Sequence, residues 1–292
     1  MYNMKIKEMI EYGKKNLIKK EDAYILSKML AKHFLKVDDT YLIINGEEEV
    51  KPFIFDFFQS AIQLLDNGMP IQYITNKQEF MELSFYVDEN VLIPQPDTEI
   101  LVEEVLSKIN KQEKILDLCT GSGAIGIALA KNTENIKIYM SDVSEKALEI
   151  AKRNITKNKV EERCELIVSN MFENIYSKYD VIVSNPPYIE SEEIKILPKE
   201  VRSEPIIALD GGFDGLDFYR IIANEAYKYL KEEGILALEI GYNQKEKVID
   251  LLSKTGKYKD IYCNKDLGRK RESSCCDNIE RNKNVICQRF KR

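Results

Sequence analysis

Four consecutive residues, Asn185-Pro186-Pro187-Tyr188, carry the groups needed to hold a substrate nitrogen. Two prolines in a row stiffen the chain, and Pro186, lacking an N–H, offers only its carbonyl as an acceptor. If the side-chain oxygen of Asn185 and the backbone oxygen of Pro186 each accept one N–H of a substrate –NH2 group, that nitrogen is fixed. Tyr188 then supplies a flat surface on which a planar amide or base stacks. An amide nitrogen is a poor nucleophile, because its lone pair is delocalised into the carbonyl. Reaction with an already activated methyl donor would therefore rest on in-line positioning and polarisation, with no metal and no strong general base. The sole histidine, His33, falls in a helical stretch and reads as a boundary residue of that helix. A plain turn is the alternative for the tetrapeptide, but it follows a strand pattern, Val181-Ile182-Val183-Ser184, directly.

A second constellation, Asp117-Leu118-Cys119-Thr120-Gly121-Ser122-Gly123, ends another short apolar run. Gly121 and Gly123 allow a tight turn and close approach of a ligand, and the helix that follows would present unpaired N–H groups. Gly126 completes a G-x-G-x-x-G pattern. Asp142 stands about twenty residues beyond, where a ribose-binding acid belongs. Taken alone, this fits a nicotinamide dehydrogenase as well as a methyltransferase. Asp117 helps to separate the two: a carboxylate at the loop would repel a pyrophosphate, yet it suits the ammonium of a methionine moiety, directly or through water. S-adenosylmethionine is then the expected cofactor. Ordinary capping of the next turn and the next helix is the alternative for Asp117 and Asp142. Asn170 and Met171, in Ser169-Asn170-Met171-Phe172, stand where adenine contacts are expected, on position alone.

The elements that must hold these residues follow from periodicity. Leu26, Met29, Leu30 and Phe34 recur at helical spacing, as do Phe57, Phe58, Ala61, Leu64 and Leu65, the latter closed by Gly68 and Pro70. Residues 1–75 are expected to form a small helical domain. From Met81 to Val87 the period becomes two, as in a half-buried strand, and residues 76–96 are expected to form a hairpin linker ending in Ile93-Pro94-Gln95-Pro96. Across 97–292, runs at 114–118, 136–141, 165–168, 179–184, 234–241, 258–263 and 284–290 alternate with amphipathic stretches such as 144–158 and 216–231. That alternation predicts an α/β fold with a largely parallel, doubly wound sheet, whose ligands bind at the strand carboxyl ends.

Composition narrows the class. In 292 residues no apolar run approaches the roughly 18 that a spanning helix needs, and the first twenty lack a secretory signal. A cytoplasmic protein away from membranes is expected. A net charge of −6 has the wrong sign for direct nucleic-acid binding. The six cysteines lack the spacing of a disulfide framework or a zinc site and read as free thiols, although Cys263, Cys275, Cys276 and Cys287 gather near the end.

Together these stretches closely resemble the HemK/PrmC protein-glutamine methyltransferases, which N5-methylate the glutamine of the Gly-Gly-Gln motif in class I peptide chain release factors. The resemblance rests on Ile93 to Glu99, Asp117 to Gly123, Ser184 to Ile189, Glu204-Pro205, Ala208 to Gly212, Asp214-Gly215-Leu216, Leu238 to Gly241 with Gln244, and Lys265 to Arg269. It spans nearly the whole chain; Asn-Pro-Pro-Tyr alone is shared by amino methyltransferases at large. It implies a seven-stranded, Rossmann-like class I methyltransferase domain whose last strand is antiparallel, preceded by a helical domain that recognises the release factor; apart from the resemblance, a monomer is expected. Cofactor contacts carry over to Cys119, Thr120, Gly121, Ser122, Gly123, Asp142, Met171 and Asn185. Substrate contacts carry over to Asn185, Pro186, Pro187 and Tyr188, with Asn185, Pro186 and Tyr188 catalytic. Three departures stand out. Cys119 replaces a frequent Gly, so a right-handed turn is expected there. Gln95 replaces a common Arg, and residues 272–283 interrupt the usual pattern. A DNA or RNA amino methyltransferase would want a basic face, a dehydrogenase would leave Asn-Pro-Pro-Tyr idle, and a binding module would have lost cofactor residues. The sister enzyme acting on a ribosomal-protein glutamine shares the chemistry.

Overall fold

Helix stripes set the first unit. Five helices, α1 (Ile6–Asn16), α2 (Ala23–Leu35), α3 (Asp39–Ile44), α4 (Pro52–Asp66) and α5 (Ile71–Thr75), enclose one apolar core. In α4 the buried set is Phe58, Ala61, Ile62 and Leu65, a strict i, i+3, i+4, i+7 row. Phe57 and Leu64, expected in that row, are 61% and 45% exposed, because each lies one residue, about 100° of rotation, from the buried stripe. Met29 is likewise exposed in α2, where Ser27 and Ala31 face inward; the Ser27 hydroxyl donates to the Ile10 carbonyl at 2.7 Å. Pro52 opens α4 with φ already set. Gly68 (φ 98°) closes it, with the N–H groups of Gly68 and Met69 donating back to the carbonyls of Leu65 and Leu64.

In this computed structural model, residues 4–18, 20–109, 113–264, 272–273 and 284–290 are described. They divide into a helical unit, Met1–Lys77 with Pro198–Ser203, and a second unit, Gln78–Leu197 with Glu204–Arg292. The single-turn helix Lys199–Arg202 thus belongs to the helical unit. Glu200 pairs there with Lys20, and the Ser203 hydroxyl donates to the Gly68 carbonyl.

The second unit begins with a hairpin. Strands β1 (Gln78–Phe80) and β2 (Leu83–Phe85) pair antiparallel across Met81 and Glu82, both left-handed at φ 50° and 59°. These values mark a two-residue type I′ turn. The continuous strand expected over 81–87 is therefore broken at its start, and Phe80 and Phe85 are the residues that reach the core.

Among the described residues seven strands form the body of the main sheet: β3 (Lys114–Leu118), β4 (Lys137–Asp142), β5 (Cys164–Val168), β6 (Tyr179–Ser184), β7 (Leu230–Gly241), β8 (Lys259–Asn264) and β10 (Asn284–Phe290), in the order β5-β4-β3-β6-β7-β10-β8. The two residues of β9 (Glu272–Ser273) pair antiparallel with β8 at the edge. Burial on both sides explains the continuous apolar runs. Ile115, Val181 and Ala237 enter one core with α6 (Pro96–Lys108), α7 (Ala124–Asn132) and α8 (Glu145–Asn158). Their neighbours Leu116, Ile182 and Leu238 enter the opposite core with α9 (Asp217–Tyr229) and α10 (Lys245–Lys254).

Two expectations are corrected here. The last strand is parallel to both neighbours, from Asn284 beside Ile235 to Phe290 beside Gly241. A parallel neighbour needs a crossover of about a dozen residues or more, and the chain between Asn264 and Asn284 is long enough for one. The helix expected to reach residue 231 stops at Tyr229. Strand β7 starts at Leu230, shifts register before Ile235 and takes up the extra residues beside the left-handed Glu233. The expectations for Cys275, Cys276 and the motif at 265–269 lie outside the described residues, as does most of 272–283. Among the described residues no helix is long and apolar enough to cross a membrane.

Candidate active site

Strands β3 and β6 are neighbours, although two strands intervene between them in sequence, so connections leave their carboxyl ends in opposite directions. A cleft opens there, as the topology requires. It encloses about 950 Å³, part of it open to solvent, and its walls come from residues 118–122, 142–144 and 169–171 with Asn185 and Pro187. Gln95 and Thr98, at the start of α6, face it as well.

The loop after β3 forms the floor. Gly121 has φ 54°, and a Cβ built there would meet nothing within 4 Å, so its open side is cleft. Cys119 has φ 61°, against the right-handed turn expected of it. The neighbouring bonds impose that conformation: Thr120 N donates to the Ser141 carbonyl and Gly123 N to the Thr120 carbonyl, both at 2.9 Å. A left-handed L-residue costs about 1–2 kcal/mol, held here by the strand beside it. The Cys119 thiol contacts Met171 Sδ at 3.8 Å, which ties this loop to the one after β5.

Asp117 is fully buried beneath the loop. Its Oδ2 accepts from Thr120 Oγ1 at 2.5 Å and from Gly126 N at 2.9 Å, while Oδ1 has no hydrogen-bond partner among the described residues. Burial pushes its pKa up to about 7, against the lowering effect of those two bonds. The turn-capping role is thus real, and the orphaned oxygen remains over. Asp142 does line the cleft. Its two oxygens accept from Gly121 N and Ser144 N, each at 2.9 Å, and burial raises its carboxyl despite them. The cap of α8 is Ser144, whose hydroxyl accepts from Ala147 N.

Ser184 Oγ donates to the Leu118 carbonyl at 2.6 Å, which binds the end of β6 to the end of β3. The tetrapeptide follows at once. Asn185 and Pro187 are on the cleft wall; Pro186, buried, and Tyr188, half-buried, are not among the residues that line it. The exit of the tetrapeptide is pinned by Gln244, which is 4% exposed: its Nε2 donates to the carbonyls of Tyr188 at 2.8 Å and Gly215 at 3.1 Å, and its Oε1 accepts from Gly241 N at 2.9 Å. Gly215 is required there, since a Cβ would lie 2.5 Å from the Tyr188 carbonyl oxygen.

Cys119, Thr120, Gly121, Ser122, Asp142, Asn170, Met171 and Asn185 therefore share one cleft, whereas Asp117 and Gly123 lie under its floor. The sequence reading did not single out Thr98, Glu239 or Gln244 as site residues. For Glu239 a signal was present: a lone carboxylate inside Leu236-Ala237-Leu238-Glu239-Ile240 must be paired if that run is a buried strand. Among the described residues no cluster of His, Cys, Asp and Glu has the form of a metal site.

Models of the PrmC N-terminal domain and of the methyltransferase small domain match residues 8–75 and 95–200. The release factor glutamine methyltransferase of Clostridium acetobutylicum is 40% identical over 274 residues, covering 91% of this chain and 96% of that protein. The chain belongs to the release factor glutamine methyltransferase family. The family member from Moorella thermoacetica is 42% identical over 222 residues, 75% of this chain and 78% of its own. Among solved structures, the hMettl16 catalytic domain in complex with MAT2A 3'UTR hairpin 1 superposes with a TM-score of 0.53 at 16% identity, covering 81% of this chain and 85% of that one. This last likeness shows the shared class I methyltransferase fold. The family anticipated from the motifs is the one found, the chain is a methyltransferase, and the dehydrogenase reading falls.

Proposed function

We propose that this chain transfers the methyl group of S-adenosylmethionine to the side-chain amide nitrogen of the glutamine in the Gly-Gly-Gln motif of class I peptide chain release factors. The observation that carries the reading is the convergence of Asn185 and Pro187, from the tetrapeptide, with the glycine loop at one cleft, in a chain whose relatives are named release factor glutamine methyltransferases.

The residues present fit the cofactor. An orphaned buried carboxylate oxygen on Asp117 suits an ammonium reached through water, and Gly121 leaves space for the amino-acid tail. Asp142 lines the cleft and retains lone pairs for ribose hydroxyls, and Asn170 and Met171, which line it too, would take the adenine. When bound, S-adenosylmethionine supplies a methyl group already activated on a sulfonium. Asn185 Oδ1 and the Pro186 carbonyl accept the two amide protons, which fixes the nitrogen and raises its electron density; Tyr188 stacks on the amide plane. One of those protons passes to solvent as the N–C bond forms. Catalysis is thus positioning by acceptors, without a metal or a strong base.

The helical unit is the surface for the release factor in this reading, supported by the exposed Ile25, Phe53 and Phe57. The enzyme works as a cytoplasmic monomer. Its test is incubation with labelled S-adenosylmethionine and, separately, release factor, ribosomal subunits and DNA. Label on the Gly-Gly-Gln glutamine supports the reading; label on any other group, or on DNA, overturns it.

A further inference from the structure

Asn185 is useful only if its amide presents oxygen to the cleft. Rotation by 180° would present –NH2 instead, and two –NH2 groups cannot pair. Something must choose the orientation. Thr98 Oγ1 lies 3.5 Å from Asn185 Nδ2 and 2.7 Å from Glu239 Oε2. Thr98 and Glu239 are 4% and 2% exposed, so the contact between them is shielded from water. The hydroxyl has a single proton, which it donates to Glu239, and with Glu239 as the carboxylate that proton is committed there. Toward Asn185 the Thr98 oxygen can then only accept, and the group facing it must be Nδ2.

The carboxylate is itself held at several points. Tyr188 Oη donates to Glu239 Oε1 at 3.4 Å, and the buried Tyr219 hydroxyl donates to the Glu239 carbonyl at 2.9 Å. Glu239 therefore reaches both ends of the tetrapeptide, Tyr188 directly and Asn185 through Thr98.

We propose that Glu239 and Thr98 are positioning residues that fix the Asn185 amide with Oδ1 toward the cleft, so that the site accepts a substrate –NH2 and rejects the oxygen of an amide or a carboxylate. This rests on the methyl-transfer reading above and adds the device that selects nitrogen. Glu239→Gln reverses the relay: its amide can donate to Thr98, whose proton then turns to Asn185 Oδ1.

Three variants and one spectroscopic contact test it. Thr98→Val, isosteric but without the hydroxyl, should lower kcat for release factor about tenfold or more, as loss of reactant orientation does. Glu239→Gln should do at least as much. Both should keep the Kd for S-adenosylhomocysteine within about threefold, which general disruption of the fold would not. Thr98→Ser, which restores the hydroxyl, should recover most of kcat. Independently of any substrate, selective 15N labelling should show a nuclear Overhauser contact between the Asn185 Nδ2 protons and the Thr98 methyl. Turnover of Thr98→Val at the wild-type rate, or absence of that contact in the wild-type protein, overturns the relay. A wild-type protein that shows the contact yet labels no release factor overturns the substrate reading and leaves the relay standing.

Discussion

Asp117 should make ligand binding depend on pH in a way that can be worked out from its surroundings. Burial pushes its carboxyl pKa up to about 7, and one oxygen has no hydrogen-bond partner among the described residues. An ammonium drawn to that oxygen requires the ionised form, so binding must expel the proton wherever it is still present. Above about pH 8 nothing remains to expel. At pH 6, one unit below the midpoint, about one carboxyl in ten is ionised, and affinity should be about tenfold weaker, ~1.4 kcal/mol. S-adenosylhomocysteine is the probe, because its ammonium keeps its proton across this range. Calorimetry from pH 5.5 to 8.5 should give an affinity rising close to tenfold per unit below pH 7. In two buffers of different ionisation enthalpy it should also give release of nearly one proton near pH 6. Asp117→Asn should bind more weakly and lose the slope; any remainder would belong to Asp142, whose carboxyl burial also raises. A flat wild-type profile, or the same slope in Asp117→Asn, refutes the reasoning.

The same carboxyl governs stability with a definite sign. Between the ordinary Asp value of 3.8 and about 7 the folded chain holds a proton that the unfolded chain has lost, so the unliganded protein should lose stability as pH rises through that window. The loss is on the order of 4 kcal/mol at most, and urea unfolding at pH 5 and pH 8 should show it shrinking in Asp117→Asn. Asn185→Ala should keep the Kd for S-adenosylhomocysteine within a few-fold while methyl transfer falls by about a hundredfold or more; undiminished turnover would remove the platform mechanism. Gln244→Leu leaves two carbonyls and one N–H without their buried partner, and should lower unfolding free energy by about 3 kcal/mol in urea melts. Cys119→Val places a β-branched side chain at φ 61° and should destabilise by about 2 kcal/mol, whereas Cys119→Gly should be close to neutral in the same assay, relief of strain offsetting the freer unfolded chain.

The parts of this fold that sequence reveals are those where one residue type has one physical reason to be present. Runs such as Val181-Ile182-Val183 are apolar on successive residues because β6 is covered on both faces, and that leaves little besides a buried strand. The carboxyl ends of those strands then place Asp117, Asp142 and Asn185 together without further information. Legibility fails where the deciding neighbour is remote or the residue is neutral on the point. Phe57 and Phe58 are equally apolar, and only the packing of α4 decides which turns inward. Met81-Glu82 lacks the Asn-Gly that would announce a type I′ turn, so the register of the hairpin overrides local preference. Cys119 adopts a conformation its side chain disfavours because Ser141, on the next strand, holds the following amide. Sequence by itself gives Gln244 no task; its role shows only when the backbone groups it joins, two of them on remote loops, are seen around it.

The single-turn helix Lys199–Arg202 has a consequence for modularity. Because Pro198–Ser203 packs with the first 77 residues, the chain crosses from one unit to the other three times. A cut near Gln78 would strip Glu200 of Lys20 and Ser203 of the Gly68 carbonyl, and leave an orphaned excursion in the middle of the remaining chain. Exchanging the helical unit with that of a relative would likewise require transplanting this distant hexapeptide. The hexapeptide and the helical unit therefore form one piece in any such exchange, although they are encoded far apart in the chain.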